Sequence, residues 1–435
     1  MKQNLKITLL LELFLFMLQS LVFCQEKKED VFINKSKVTV NSLHHLPTKP
    51  GPHIKKIKAM GNNTWLNIGQ AKADPKWGTA RGRGYSTKMA YSGNLEAAFF
   101  CGTGVHGARV TSVDKTSQHH MDDLWAYDVN NHEWVCLYPG ANVKTLDLKL
   151  NEHGFEVTKE EESQPVAYLS HAYNQVTFIP DTNQYMILYR PNPWWTKNLP
   201  QREKWLERKK RGSNDFGKLN ISTRHPIFYN VKEAKWERRF IKSQTEGKDI
   251  APPGMGVLEY IPKMKKLVYI AQGSVVYFDP FKNEWFKPKI KRISYAYDSV
   301  GCYDSKRERI YIAKGTFFGY FDLKLEVWVK VKGKNQKEQF KSKPMTFDTA
   351  SGVIIFFTGK TLIIYNPDSN KWTQGATHFP GKKRWARNPH TSFYSKKYNV
   401  HYFYAAQSAN ARWNSGAFWQ VYRYKNKKDM HVNLK

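Results

Sequence analysis

Three stretches of the chain concentrate side chains that can move protons or hold charge. The first runs from Gly104-Val105-His106-Gly107-Ala108-Arg109 to Gln118-His119-His120-Met121-Asp122-Asp123. Three histidines, an arginine and two aspartates exceed what a hairpin needs, and glycine beside His106 permits close backbone approach. A metal held by His106, His119, His120 and an aspartate is one use of them. The spacing matches no standard zinc motif, so the metal stays undecided; the plain alternative is a solvated loop. The second stretch opens at Ser170-His171-Ala172-Tyr173-Asn174, and its next strand ends Leu188-Tyr189-Arg190. The third is the insertion from Pro191 to Arg224, with Trp194, Trp195 and Trp205 among Arg202, Lys204, Arg208, Lys209, Lys210 and Arg211. Arg387 and His390 stand in a similar setting near the C-terminus. Aromatics interleaved with cations suit sugars bearing acidic groups, since indole faces stack while the cations pair with carboxylate or sulfate. A basic surface helix around 201–210 and a core aromatic at Tyr173 are the simpler readings.

A repeat supplies the elements that must position these loops. The phrase Leu124-Trp125-Ala126-Tyr127-Asp128…Glu133-Trp134 returns as Ile227-Phe228-Tyr229-Asn230…Lys235-Trp236 and Val276-Tyr277-Phe278-Asp279…Glu284-Trp285. It returns again as Gly319-Tyr320-Phe321-Asp322…Val327-Trp328 and Ile364-Tyr365-Asn366…Lys371-Trp372. Each copy reads as strand, polar turn, Trp-bearing strand, with Asp or Asn closing the turn. Two further short apolar runs precede each copy, giving four strands per unit and a period of about 45 residues, the range of kelch-type propeller blades. The last unit, from His390 to Tyr422, lacks a Trp strand, whereas Asn63-Thr64-Trp65-Leu66-Asn67-Ile68 is a Trp strand without a unit. Pairing the two would close a ring and remove both sheet edges. The expectation is therefore an all-β, kelch-like propeller of six blades, closed by an N-terminal strand. A seventh blade built from the irregular stretch 142–162 is the alternative.

Taken together, these residues resemble the propeller polysaccharide lyases, above all the ulvan lyases. In that family paired histidines from one blade meet a tyrosine and an arginine from the next at the mouth of the ring. The resemblance matches His106 and His120 to the histidines, Tyr173 to the tyrosine and Arg190 to the arginine. Arg109, His171, Trp194, Trp195, Arg387 and His390 would then hold substrate. It implies β-elimination across a uronic acid, with Tyr173 as base and acid and with Arg190 or a histidine neutralising the carboxylate. No cofactor is required for this chemistry, and a structural metal ion is left open. The closest alternative is a non-catalytic carbohydrate- or surface-binding propeller on the same scaffold.

Composition bounds these readings. Lys2 and Lys6, the apolar run from Ile7 to Phe23 and the polar start at Gln25 describe a secretory signal over 1–24, which implies a secreted or periplasmic protein; a lipoprotein at Cys24 is the lesser option. A basic, poorly ordered leader over 25–60, a propeller over 61–425 and a basic tail over 426–435 are expected. Cys101, Cys136 and Cys302 remain after signal removal, too few for a disulfide scaffold. The balance of 69 basic against 37 acidic residues gives a formal charge of +32, pointing to an anionic, sulfated or uronic, polysaccharide partner. The absence of any nucleic-acid fold signature argues against DNA or RNA. A monomer without membrane spans is expected.

Overall fold

The computed structural model describes residues 31–33, 39–41, 43–80, 86–101, 123–138, 148–152, 156–158, 172–188, 226–241, 256–293, 299–331, 343–357, 362–376, 390–405 and 418–425. Six four-stranded antiparallel sheets are arranged as the blades of a propeller. Blade 1 is Ala90–Ser92, Ala97–Cys101, Leu124–Asp128 and Glu133–Tyr138; blade 2 is Val176–Ile179, Gln184–Ile187, Ile227–Asn230 and Lys235–Arg238. Blade 3 is Val257–Ile261, Lys266–Ala271, Ser274–Asp279 and Glu284–Phe286; blade 4 is Val300–Asp304, Arg309–Lys314, Phe317–Asp322 and Val327–Lys330. Blade 5 is Met345–Asp348, Val353–Phe357, Leu362–Asn366 and Lys371–Gln374. Blade 6 joins His390–Ser395, Val400–Ala405 and Phe418–Arg423 to the N-terminal strand Thr64–Gly69. The first strand of every blade touches the first strands of both neighbours, so these six strands form the inner ring.

The repeated phrase explains the blade. In every copy an aromatic of the third strand lies directly across from the tryptophan of the fourth. The pairs are Tyr127–Trp134, Tyr229–Trp236, Phe278–Trp285, Phe321–Trp328, Tyr365–Trp372 and Tyr422–Trp65. Their ring centroids lie between 4.6 and 5.5 Å apart, the contact that favours aromatic cross-strand pairs. The sixth pair takes its two members from opposite ends of the propeller, which is the closure expected from the unpaired Trp65 strand. The hairpins repeat as well. The Asp304 carboxylate accepts the backbone N–H groups of Lys306 and Arg307 at 3.0 and 3.1 Å, and Asp322, Asp348, Asn230 and Asn366 do the same in their turns. The residue entering the next strand is left-handed, as at Glu308, Asn283 and Asn370, a conformation Asn tolerates better than most residues. Residues Leu148–Leu150 and Glu156–Thr158 pair only with each other as a small hairpin, so the stretch considered for a seventh blade does not build one.

The leader departs from expectation. Residues 43–60 are not loose; they form a clasp over the outer side of blade 1. Helix α1, Pro52–Lys58, starts on Pro52, whose missing N–H costs nothing at the first helical position, and ends with lysines that suit the negative end of its dipole. Ile54, Ile57 and Met60 sit three residues apart and are buried in one cluster with Trp125, Trp134 and Trp419 of blades 1 and 6, while Leu43 and Leu46 are buried in a cluster with residues of blades 1 and 2. Polar contacts fix the path: Thr48 donates to the Asp128 carboxylate, Gly51 N–H donates to Asn130 O at 2.7 Å, and Arg423 donates to the carbonyls of Lys58 and Met60. Apolar burial spaced among lysines outweighs the charge that suggested a solvated leader.

A histidine pair lies under the clasp. His53 on α1 and His132 in the blade 1 hairpin stand 5.1 Å apart, with His53 bonded to Val129 O and His132 to the Tyr127 hydroxyl. Burial, with His53 beside it, pushes the His132 imidazole down from 6.5 to about 4, and burial lowers His53 as well. A folded pKa below the unfolded one means that the unfolded chain takes up protons first as pH falls. Stability is therefore complete above about 6.5 and is lost towards about 4, by up to about 3 kcal/mol from His132 alone. The urea midpoint should fall over that window, and His132→Asn, which keeps a side chain suited to the left-handed backbone, should flatten the fall. Parallel curves for parent and variant would refute the assignment.

Candidate functional site

The two ends of the inner ring differ. At the end where the first strands begin, parallel bridges join Ser86 to Tyr173, Lys88 to Ser392 and Asn174 to Val257. Their bonds include Thr87 N–H to Tyr173 O at 3.0 Å, Met89 N–H to Ser392 O at 3.1 Å and Leu258 N–H to Asn174 O at 3.1 Å. Blades 6, 1, 2 and 3 are stitched together there. The axis holds a cup of about 350 Å³, lined from Lys88, Met89 and Ser392 of the stitch to turns such as Gly93, Pro262 and Ser305. The cup therefore reaches the hairpin end. Gly301 matters to its shape: a Cβ there would stand 2.6 Å from Tyr311 O and 2.7 Å from Val257, so only glycine lets blade 4 lie this close to blade 3.

All six blades contribute to the wall, and its aromatic members include Tyr91, Phe178, Tyr260, Tyr303, Phe347 and Phe393. They are held rigidly. Phe393 stacks between Tyr91 and Tyr402, with centroids 5.1 and 4.8 Å away. The Tyr91 hydroxyl donates to Glu96 at 2.8 Å and that of Tyr260 to Asp181, so these two rings turn their hydroxyls to acids outside the lining. Burial and nearby carboxylates push Tyr303 up to about 12 and Tyr91 and Tyr260 higher still. These phenols stay protonated near neutral pH. They offer ring faces, not bases.

Two polar features are set into this wall. Lys88 of the strand entering blade 1 reaches Glu259 of blade 3, Nζ to Oε1 2.8 Å, and also donates to Leu258 O at 2.7 Å. Their side chains are 16 % and 12 % exposed, so the pair faces the cup rather than bulk water. Burial raises the Glu259 carboxyl and Lys88 opposes that rise. Beside them, burial and then Glu259 and Asp304 push the Cys302 thiol well up, which leaves it a weak nucleophile. The second feature joins blades 5 and 6: the Thr346 hydroxyl meets His401 Nδ1 at 2.8 Å, and His401 Nε2 meets the Asp348 carboxylate at 3.3 Å. Burial works to raise Asp348, but the bond and charge of His401 outweigh it and hold the carboxyl below its usual range.

Of the residues expected from the sequence, Tyr173 and His390 are described, and Tyr173 belongs to the stitch. Tyr173 is 4 % exposed, and its carbonyl accepts both the N–H and the hydroxyl of Thr87. Its backbone is left-handed, φ +43°; among the described residues every other left-handed non-glycine position is a turn or the entry to a strand from a turn. His390 opens the first strand of blade 6. His106, His120, Arg190, Arg109, His171, Trp194, Trp195 and Arg387 lie outside the described residues, as does His119. Among the described residues no group of three or more His, Cys, Asp or Glu could hold a metal, and no helix is long and apolar enough to cross a membrane. Lys88, Glu259 and Thr346 were not anticipated. One signal was there: Glu259 is the sole charge in the apolar run Val257-Leu258-Glu259-Tyr260-Ile261, as a buried, paired carboxylate would be.

No family model and no curated protein matches the chain. Among solved structures, a structural genomics protein of unknown function from Bacteroides thetaiotaomicron is 10% identical, with a TM-score of 0.45 over 82% of this chain and 75% of that one. An auxiliary nutrient binding protein from the same organism is 9% identical, with a TM-score of 0.43 over 82% of this chain and 76% of that one. Likeness at this level carries no assignment of ligand or activity.

Proposed function

We propose that the protein is a carbohydrate-binding β-propeller that takes a sugar ring or a short chain end into the axial cup. The cup carries the reading: a concavity to which every blade contributes an aromatic ring, with a few fixed polar groups, at the lower end of the volumes usual for small-molecule sites. Ring faces of Phe178, Tyr303 and Phe347 suit the C–H faces of a pyranose, while Thr346 and the Lys88–Glu259 pair supply hydrogen-bonding groups for hydroxyls. The basic surface would draw an anionic polymer towards the molecule from outside.

The lyase reading rests on Tyr173 instead, and one observation favours it: its left-handed backbone, since strained backbone persists where surrounding structure holds it and gathers at functional sites. A single experiment separates the two. Calorimetry against a saccharide panel, run beside an absorbance assay for unsaturated uronate, should show binding that Tyr303→Ala weakens at least about tenfold. Tyr173→Phe should leave that binding intact. Unchanged affinity in Tyr303→Ala would remove the cup as the site. Cleavage by the parent that falls at least about a hundredfold in Tyr173→Phe, the size of a general acid–base contribution, would make the protein a lyase instead.

A further inference from the structure

The cup carries more information than its shape. Of the described side chains that line it, Lys88 and Glu259 alone are ionised types, and they face each other at 2.8 Å. The remaining described lining is uncharged: aromatic and hydroxyl-bearing residues with Met89, Met345, Cys302, prolines and small residues between them. Outside the lining stand acids: Glu96 beneath Tyr91 and Asp181 beneath Tyr260. Resting on the saccharide reading above, we infer that the cup selects an uncharged sugar unit, and that the closed Lys88–Glu259 pair sets this preference.

The physical reason is desolvation. A uronate or sulfate entering the cup would lose its water and find, among the described lining residues, no cation other than the paired Lys88. To pair with it, Lys88 would have to leave Glu259, stranding that carboxylate next to a second anion in a low-dielectric site. A cationic amino sugar meets the mirror-image difficulty at Lys88. A neutral ring displaces water from aromatic faces, keeps the pair intact and can still bond to its unshared lone pairs and N–H groups. The chain's net charge of +32 does not alter this balance. Surface charges act over a screening length of about 8 Å at physiological ionic strength and steer approach, whereas the pair acts at contact.

The test is calorimetric titration of the full chain with neutral hexose di- and trisaccharides and with hexuronate oligomers of the same linkage. The parent should bind a neutral member at least about tenfold more tightly than its uronate counterpart. Glu259→Gln frees Lys88, and the ratio should shrink at least about tenfold or invert. Ser305→Arg places a cation at the exposed rim of the cup without touching the pair, so it should raise uronate affinity several-fold even if Glu259→Gln does not fold. A parent that prefers the uronate overturns the inference and leaves the saccharide reading standing. So does an unchanged ratio in both variants. A parent that binds neither kind overturns the saccharide reading and the inference together.

Discussion

A chain that begins at Asn62 should melt well below the parent, and one that begins at Gln70 should lose cooperative unfolding altogether. The first truncation removes the clasp. It uncovers the apolar cluster that Ile54, Ile57 and Met60 share with Trp125, Trp134 and Trp419, and the one that Leu43 and Leu46 share with residues of blades 1 and 2. It also strips partners from Arg423, a guanidinium only 4 % exposed that donates to the carbonyls of Lys58 and Met60. Lost burial of large apolar side chains and a buried cation left short of acceptors together predict a cost on the order of 5 kcal/mol. The second truncation removes Thr64–Gly69 as well, and with it the outer strand of blade 6 and the Tyr422–Trp65 pair. Guanidinium melts followed by tryptophan fluorescence would read both effects. A midpoint for the Asn62 chain equal to the parent's would show that the clasp contributes nothing.

Trp419→Ala should cost about 3–5 kcal/mol, the range for emptying a fully buried tryptophan site. Trp419 is 0 % exposed and stacks on Tyr127 at 3.8 Å, with Tyr404 at 4.9 Å and Trp134 at 5.6 Å. These rings fill the seam between blades 6 and 1, directly below the clasp, so the cavity has rigid walls and little freedom to collapse. Trp372→Ala, at a half-buried outer-strand position of blade 5, should cost less than half as much. Equal losses in denaturant midpoint would mean that the seam is no more tightly packed than a blade edge.

The architecture was legible because it is periodic. Third-strand aromatic, Asx turn and fourth-strand tryptophan recur as one phrase, and an unmatched Trp65 strand at one end with a strand missing at the other leaves ring closure as the consistent solution. The clasp was hidden by composition. Lysines at 55, 56 and 58 mask the spacing of Ile54, Ile57 and Met60, and that spacing after Pro52 was the usable sign of a short buried helix. The cup was illegible for a different reason. Each blade gives it a few residues from the inner strand, and Lys88 finds Glu259 only once blades 1 and 3 stand in the same ring. Local patterns report which face of a strand is buried; they do not report which side chain waits across an axis. Of the expected site, Tyr173 was reached through its neighbourhood in the chain, and its backbone conformation is something no residue type announces.

The shared sixth blade also governs the order in which the molecule can be completed. Asn63 N–H donates to Tyr424 O at 2.8 Å, so a strand made before the other blades finds its partner only after the rest of the propeller has been made. This is the most non-local pairing in the propeller, and such pairings form slowly because the connecting chain must be ordered first. Until then strand 64–69 and strand 418–423 are unpaired with complementary hydrogen-bonding groups. In a crowded refolding mixture the strand of one molecule can satisfy the edge of another, which makes domain-swapped dimers the characteristic misassembly of this ring.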